Sequence, residues 1–227
     1  MSRSEIVDIV SLTPAQHEAV KAIYLEAFDA PWEMPADRLA DFAHTHTSQG
    51  LAGRALALLN GGAVAGLALA GYLTRSNFFD LKYLAVDPHR RSQGLGSILL
   101  TAVVAAGETI ARAAGRDGCR GTLLEVEIPD SPPPDADRRL RHRRIAFYER
   151  HGALLTGVPF ARPPDAPPEQ PDWETMVVPG RCWDGALSNA LRRELGLALM
   201  VEGYGNDPTA PWLSDYLDKL APPDAHA

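Results

Sequence analysis

Cysteine is nearly missing from this 227-residue chain. Cys119 and Cys182 are too few for a disulfide framework and carry no metal-ligand spacing, so both are expected to be ordinary reduced residues. No uninterrupted apolar run reaches the roughly 18 residues of a membrane span, and no charged, apolar and small-residue leader opens the chain. Neither a transmembrane helix nor a secretion signal is therefore expected, and the expected compartment is the cytoplasm. His44 and His46 alternate in a threonine-rich stretch without a third ligand in view, and His142 and His151 are equally isolated, so all four read as surface residues and no metal is expected. Basic residues are outnumbered by acidic ones, giving a formal charge of −7. That balance argues against broad nucleic-acid binding and is consistent with a cationic substrate, although acidity chiefly serves solubility. No internal repeat is present.

What is there suffices for one good core: 45% of the residues are hydrophobic, enough for a domain of ordinary size with an appendage. Residues 5–12 read as a strand. Thr13-Pro14-Ala15-Gln16 then supplies a cap, a proline at the first helical position and a glutamine that closes a capping box. Val20, Ile23, Tyr24, Ala27 and Phe28 form the buried stripe of the helix that follows, until Asp29-Ala30-Pro31-Trp32 ends it. A second short helix is expected over about Asp37 to Ala43. Asn60-Gly61-Gly62 marks a hairpin within 54–73, leading to a strand at 78–87. A helix over about 94–114, a strand at 122–128, a helix from Asp137 to a stop at Gly152, and strands near 153–160 and 173–179 complete the pattern. Proline-rich stretches at 129–135 and 163–171 cannot be regular structure. Beyond 180, Ala186, Leu187, Ala190, Leu191 and Leu195 share one helical face, and Trp212 to Leu220 form another helix. This extension is expected to pack back on the domain or to form a homodimer contact.

The most informative stretch runs from Leu84 through Leu99. An apolar strand ends at Pro88, and a turn with Arg91, Gly94 and Gly96 opens an amphipathic helix. Side-chain-free positions let backbone N–H groups approach an anion, while the helix N-terminus adds the positive end of its dipole. The natural ligand of such a turn is a pyrophosphate. A dinucleotide fingerprint would need a third glycine where Leu99 stands, and a P-loop would need Gly-Lys-Ser/Thr, which is absent. Val86, Pro88, Arg91, Gly94 and Gly96 together resemble the acyl-CoA-binding motif V-x-P-x-x-[RQ]-x-x-G-x-[GA] of the GNAT superfamily of N-acetyltransferases. The element order over residues 5 to about 180 also resembles that fold.

The resemblance implies an α/β (α+β) GNAT domain over 1–180, its mostly antiparallel sheet splayed at the acyl-CoA site, with a helical extension over 181–227. It further implies acetyl-CoA as cosubstrate, contacted by Leu84, Ala85, Val86, Arg91, Ser92, Gln93, Gly94, Leu95, Gly96 and Ser97. The Leu84 N–H is then the expected oxyanion donor. Residues 143–153 resemble the family segment whose tyrosine faces the CoA sulfur, which makes Tyr148 the expected general acid; a phenol with a pKa near ~10 is protonated at neutral pH. Arg141 and Arg144 depart from the commoner family pattern there.

For the base, Glu125 and Glu127 share one face of their strand by two-residue alternation and stand ahead of Asp80. The arginine run at 138–144 reads as a solvated helix face rather than as a binding site. The expected reaction is acetyl transfer to a primary amine, on a small molecule or a peptide, by direct attack, with no nucleic-acid or membrane partner. Alternatives are a non-catalytic acyl-CoA-binding regulator of the same fold and a toxin acting on aminoacyl-tRNA; the latter would need a basic groove.

Overall fold

A computed structural model describes residues 3–28, 30, 33–39, 41–42, 53–131, 138–161 and 172–220. Its elements, in chain order, are β1 (Ser4–Asp8), α1 (Pro14–Ala27), β2 (Gly53–Asn60), β3 (Ala63–Leu73), β4 (Phe78–Val86), α2 (Leu95–Ala113), β5 (Gly121–Glu127), α3 (Arg138–Glu149), β6 (Leu154–Pro159), β7 (Trp173–Pro179), α4 (Asn189–Leu197) and α5 (Pro211–Leu220). The chain is mixed α/β and forms two compact units. One comprises residues 1–72 and 81–116, the other 73–80 and 117–227.

In the first unit, strands β1, β2, β3 and the later part of β4 lie side by side in that order. β1 pairs antiparallel with β2 from Ser4↔Asn60 to Asp8↔Leu56, and β2 pairs with β3 from Gly53↔Gly71 to Asn60↔Ala63. The β2–β3 turn holds Gly61 at φ 62° and Gly62 at φ 83°, the two positive values that a tight hairpin turn demands. Thr13 caps α1: its Oγ1 accepts from the Gln16 N–H at 3.4 Å, and Gln16 Oε1 accepts from the Thr13 N–H at 3.0 Å. Val20, Ile23 and Tyr24 of α1 are buried in a core with Ala55, Leu67 and Ala85. Helix α2 is the one helix among the described residues long and apolar enough to cross a membrane by length and composition. Its buried residues Leu95, Leu99, Leu100, Val103 and Ile110 recur at helical spacing, the pattern of a helix laid against a core. A Cβ on Gly66 of β3 would meet the Ala85 carbonyl oxygen at 2.6 Å and Leu99 Cδ1 at 2.9 Å. Glycine there lets β3 pass close beneath both β4 and α2.

In the second unit the order is β5, β7, β6. β5 and β7 pair antiparallel from Gly121↔Pro179 through Glu125↔Thr175 to Glu127↔Trp173. Residues 189–220 dock on this part of the sheet. Leu191 and Leu195 of α4, Leu199 and Met200 of a π-helical turn (Ala198–Gly203), and Leu213, Leu217 and Leu220 of α5 share one core with Leu123, Val158 and Val177. Ser188 caps α4 by accepting from the Leu191 N–H. Arg120 is tied to Glu194 at 2.5 Å and Arg193 to Asp218 at 2.7 Å. At about 1.5–3 kcal/mol for each large apolar side chain fully buried, this packing holds the extension down as part of the unit. No division between compact units falls at residue 180.

One of these sequence expectations needs correction. The first strand ends at Asp8 rather than continuing to residue 12, because the Asp8 carboxylate accepts from the Val10 N–H and caps a short 3-10 turn over Ile9–Ser11. The short helix expected at 37–43 opens with a 3-10 turn, Ala36–Arg38, and Phe42 is helical; residues 40 and 43 lie outside the described residues. Pro35 before that turn offers no side-chain cap. His44, His46, Trp32, most of the first proline-rich stretch and nearly all of the second also lie outside the described residues.

Candidate active site

The glycine-punctuated turn lies wholly in the first unit. β4 ends at Val86, and Asp87 bends the chain: its N–H donates to the Ala65 carbonyl at 3.0 Å and its carboxylate accepts from the His89 N–H at 2.9 Å. Arg90 neutralises that carboxylate at 3.4 Å. Arg91 Nε donates to the Val86 carbonyl at 3.4 Å, which holds the guanidinium at the turn. Ser92 at φ 62° and Gly94 at φ 78° carry the chain through the left-handed region into α2. Arg91, Ser92, Gln93 and Gly94 are exposed, Gly96 and Ser97 half-buried, and Leu95 buried. Gly94 caps α2 with no side chain, and the space where its Cβ would stand is open. The first N–H groups of a helix have no partner within it, so this end presents unsatisfied donors and a positive dipole end to an incoming anion. The residues present fit a pyrophosphate.

On β4, Leu84 and Val86 are half-buried and Ala85 is buried. Tyr83 beside them packs its ring against Tyr24 at 5.2 Å and Phe28 at 5.0 Å. The Tyr24 hydroxyl donates to the Met34 carbonyl at 2.8 Å, and the Met34 N–H donates to the Tyr83 hydroxyl at 3.2 Å. Burial raises both phenols above the ordinary tyrosine value, so both stay neutral and hold the segment at Met34 against β4.

The proton-handling candidates lie in the second unit. Glu127, at the end of β5, is gripped by two arginines of α3: Arg141 Nε donates to Oε2 at 2.7 Å, and Arg144 Nη1 to Oε1 at 3.3 Å. Arg141 is only 3% exposed and also donates to the carbonyls of Ser131 at 2.5 Å and Ile128 at 3.5 Å. The expectation of a solvated arginine face is thereby corrected. Arg138, Arg139, Arg143 and Arg144 are exposed, but Arg141 turns inward because a carboxylate and two carbonyls await it there. Tyr148, one helical turn beyond Arg144, is half-buried with its ring edge-on to Phe147 at 5.1 Å. Burial pushes its hydroxyl up to about 12, against the lowering effect of Arg144. It is a phenol that keeps its proton. A cleft of about 440 Å³ lies between β5 and α3, lined by Glu127, Ile128, His142, Ile145, Glu149 and Glu174, among others.

Glu125, two residues back along β5 and half-buried, meets different company. Its Oε2 accepts from the Tyr204 hydroxyl, and its charge adds to burial in raising the Tyr216 hydroxyl. Both tyrosines belong to the C-terminal extension. Asp80 is 2% exposed at the end of the segment 73–80. The structure thus sets Glu127 among arginines, Glu125 among tyrosines, and Asp80 in the interior. Sequence reasoning missed Arg141 as a buried partner and Tyr204 altogether. The departure from the family pattern at Arg141 and Arg144 was the available signal for the first. For Tyr204, 79 residues from Glu125, the chain carries no local signal. Among the described residues no cluster of His, Cys, Asp and Glu could hold a metal.

A glycine-capped strand-to-helix turn of this kind, in a mixed α/β chain, suits an anionic group. Within that class, a family model described as "Acetyltransferase (GNAT) family" matches residues 17–153, more than half of the chain, and the chain belongs to that family, as an acetyltransferase. No curated protein sequence matches it. Among solved structures, a GNAT superfamily phosphinothricin acetyltransferase from Sinorhizobium meliloti in complex with AcCoA aligns with a TM-score of 0.56 and 17% identity, covering 82% of this chain and 92% of that one. The acetyltransferase yncA from Salmonella typhimurium, solved with its cofactor acetyl-CoA, gives 0.53 and 17%, covering 82% and 98%. A ribosomal-protein-alanine N-acetyltransferase from Brucella melitensis gives 0.54 and 17%, covering 76% and 98%. At these identities the likeness is one of fold.

Proposed function

We propose that this protein moves the acetyl group of acetyl-CoA onto a primary amine by direct attack, with both substrates bound together. One observation carries the reading: after β4 the chain presents a helix end that has open donors, a glycine cap at φ 78° and free space above it. Solved relatives of this fold hold acetyl-CoA. Arg91, Ser92, Gln93, Gly94, Leu95, Gly96 and Ser97 would hold the pyrophosphate, and the main chain of Leu84, Ala85 and Val86 the pantetheine, with the Leu84 N–H turned to the developing oxyanion. Acetyl-CoA supplies a thioester, whose C–S bond breaks as the amine nitrogen bonds to the carbonyl carbon. Tyr148 gives its proton to the departing sulfur and recovers one from solvent. A carboxylate takes the proton that the arriving ammonium sheds before attack, directly or through water, and the proton left on nitrogen after attack passes to solvent as the amide forms. Of the three candidates Glu125 suits this task best, because both oxygens of Glu127 already accept from guanidinium groups and Asp80 is buried. A carboxylate in that place favours an acceptor that arrives as a cation, in keeping with the net charge of −7.

The test is calorimetric titration of acetyl-CoA into the wild type, Gly94→Val and Arg91→Gln, with coenzyme A release measured on a panel of amines. A β-branched side chain at Gly94 blocks backbone approach, and we expect it to weaken binding by about 30-fold, the equivalent of about 2 kcal/mol for donors left unpaired. Arg91→Gln should weaken binding while keeping the wild-type melting temperature. Unchanged affinity in both variants would reject the site.

A further inference from the structure

Apart from Glu127, no residue lining the cleft of about 440 Å³ between β5 and α3 has a part in the transfer step. One wall is helical. His142, Ile145 and Glu149 recur at three- and four-residue spacing and so share a face of α3. Arg141, Arg144 and Tyr148 repeat that spacing one residue out of step, which turns them about 100° round the helix axis. The other wall is made by strands. Val126 of β5 and Glu174 of β7 are directly paired and stand on one face of the sheet. Leu155 of β6 pairs with Met176, two residues along β7 from Glu174, and so shares that face. Leu155 is 40% exposed and Ile145 half-buried, so both walls offer apolar surface to water. Two carboxylates lie beside this surface without a cationic partner among the described residues. Glu174, half-buried, accepts from the Gly157 N–H at 2.9 Å, a neutral donor that ties the carboxylate to the strand wall and leaves its charge in place. Glu149, at the exposed end of the helical wall, has no hydrogen bond or ion pair from its side chain among the described residues. The charge of Glu127 is already met by Arg141 and Arg144. Small-molecule sites occupy roughly 300–1,000 Å³ and join mostly apolar walls to a few polar groups, and a carboxylate beside such walls attracts a cation more strongly than one in open water.

We infer that this cleft is a second ligand site, which takes a small organic cation with an apolar body: the charged end is held by Glu149 and Glu174, and the body covers Val126, Ile145 and Leu155. The site is separate from the glycine-punctuated turn and stands whether or not the chain transfers acetyl groups.

Hexylguanidinium serves as the cationic probe and hexylurea as its uncharged counterpart of the same shape. Neither offers the primary amine that an acetyl acceptor needs. Both are titrated into the full chain labelled at its Ile, Leu and Val methyl groups and followed by NMR. The wild type should bind hexylguanidinium about five-fold more tightly than hexylurea, as one partly exposed ion pair warrants, with shifts at Val126, Ile145 and Leu155. Glu149→Gln should shrink that preference. So should Glu174→Gln, whose amide oxygen still accepts from the Gly157 N–H. The double variant should abolish the preference while keeping the wild-type melting temperature and affinity for acetyl-CoA. Equal binding of the two probes by the wild type, shifts confined to methyl groups outside the cleft, or a preference unchanged in the double variant would overturn the site. A capped Ala-Arg-Ala peptide should bind more weakly than hexylguanidinium; tighter binding of the peptide would overturn the assignment to a small molecule in favour of an arginine-bearing chain.

Discussion

Replacing Arg141 with methionine tests what Glu127 is for. The substitution keeps an apolar stem of similar reach and removes the guanidinium. It deletes the 2.7 Å pairing with Glu127 and the donation to the Ser131 carbonyl at 2.5 Å, both around a side chain that is 4% exposed. Breaking a buried pair from one side costs about 3–5 kcal/mol, because the abandoned charge stays out of water. Two features draw the figure to the lower end: the Glu127 side chain is 22% exposed, and Arg144 still stands 3.3 Å away. We therefore expect a loss of about 3 kcal/mol. For a chain of this length that is a fall in Tm of about 6–12 °C, at about 2–4 °C for each kcal/mol.

Urea unfolding and calorimetry on the wild type, Arg141→Met, Glu127→Gln and the double variant close the cycle. The double variant should be less destabilised than the two single effects sum to, by at least about 1 kcal/mol, since each partner alone leaves the other stranded. A loss below about 1 kcal/mol for Arg141→Met, with additive effects, would refute the clamp. Glu127 would then return beside Glu125 as a candidate base.

Two further outcomes follow from the geometry. Gly66→Ala should destabilise by about 1–3 kcal/mol through overpacking, because its Cβ would lie 2.6 Å from a main-chain oxygen that cannot swing aside; a Tm unchanged from wild type would show that β3 can shift away from β4. Tyr148→Phe should lower turnover about 100-fold while sparing acetyl-CoA affinity. The Tyr148 hydroxyl ionises at about 12 in the folded chain against 10.0 for an ordinary tyrosine. Below pH 10 both states keep the proton, but as the pH climbs from 10 toward 12 the unfolded chain ionises first, and the wild type loses stability that the phenylalanine variant retains. Parallel melting curves of the two proteins across that window would contradict the burial of this hydroxyl.

The parts of the molecule that were legible in its sequence are those governed by neighbours in the chain. Asn60-Gly61-Gly62 dictated a hairpin because the turn needs two positive φ values, and the stripe from Leu95 to Ile110 announced α2 because helical spacing is local. The capping box at Thr13 was equally readable. The first strand came out too long, since apolar residues run on past Asp8 and only the carboxylate's grip on the Val10 N–H ends it. What stayed hidden depends on distant partners. A run of arginines looks uniformly wet until one of them is found facing Glu127, and nothing near Tyr204 hints at Glu125.

Glu125 and Glu127 show why such partners matter for chemistry. They are the same residue type, on the same strand and the same face, two positions apart, and alternation alone makes them interchangeable. Their neighbours separate them. Arg141 offers a rigid, permanently charged fork, which ties a carboxylate to one geometry and takes up the oxygens that would accept a proton. Tyr204 offers a single neutral donor from a surface that stays 43% exposed, which orients a carboxylate without cancelling its charge. One glutamate therefore holds α3 against the end of β5, and the other is held by the extension. Because the residue that makes the second arrangement comes from the extension, the segment beyond 180 sets the surroundings of Glu125 as well as forming part of the core.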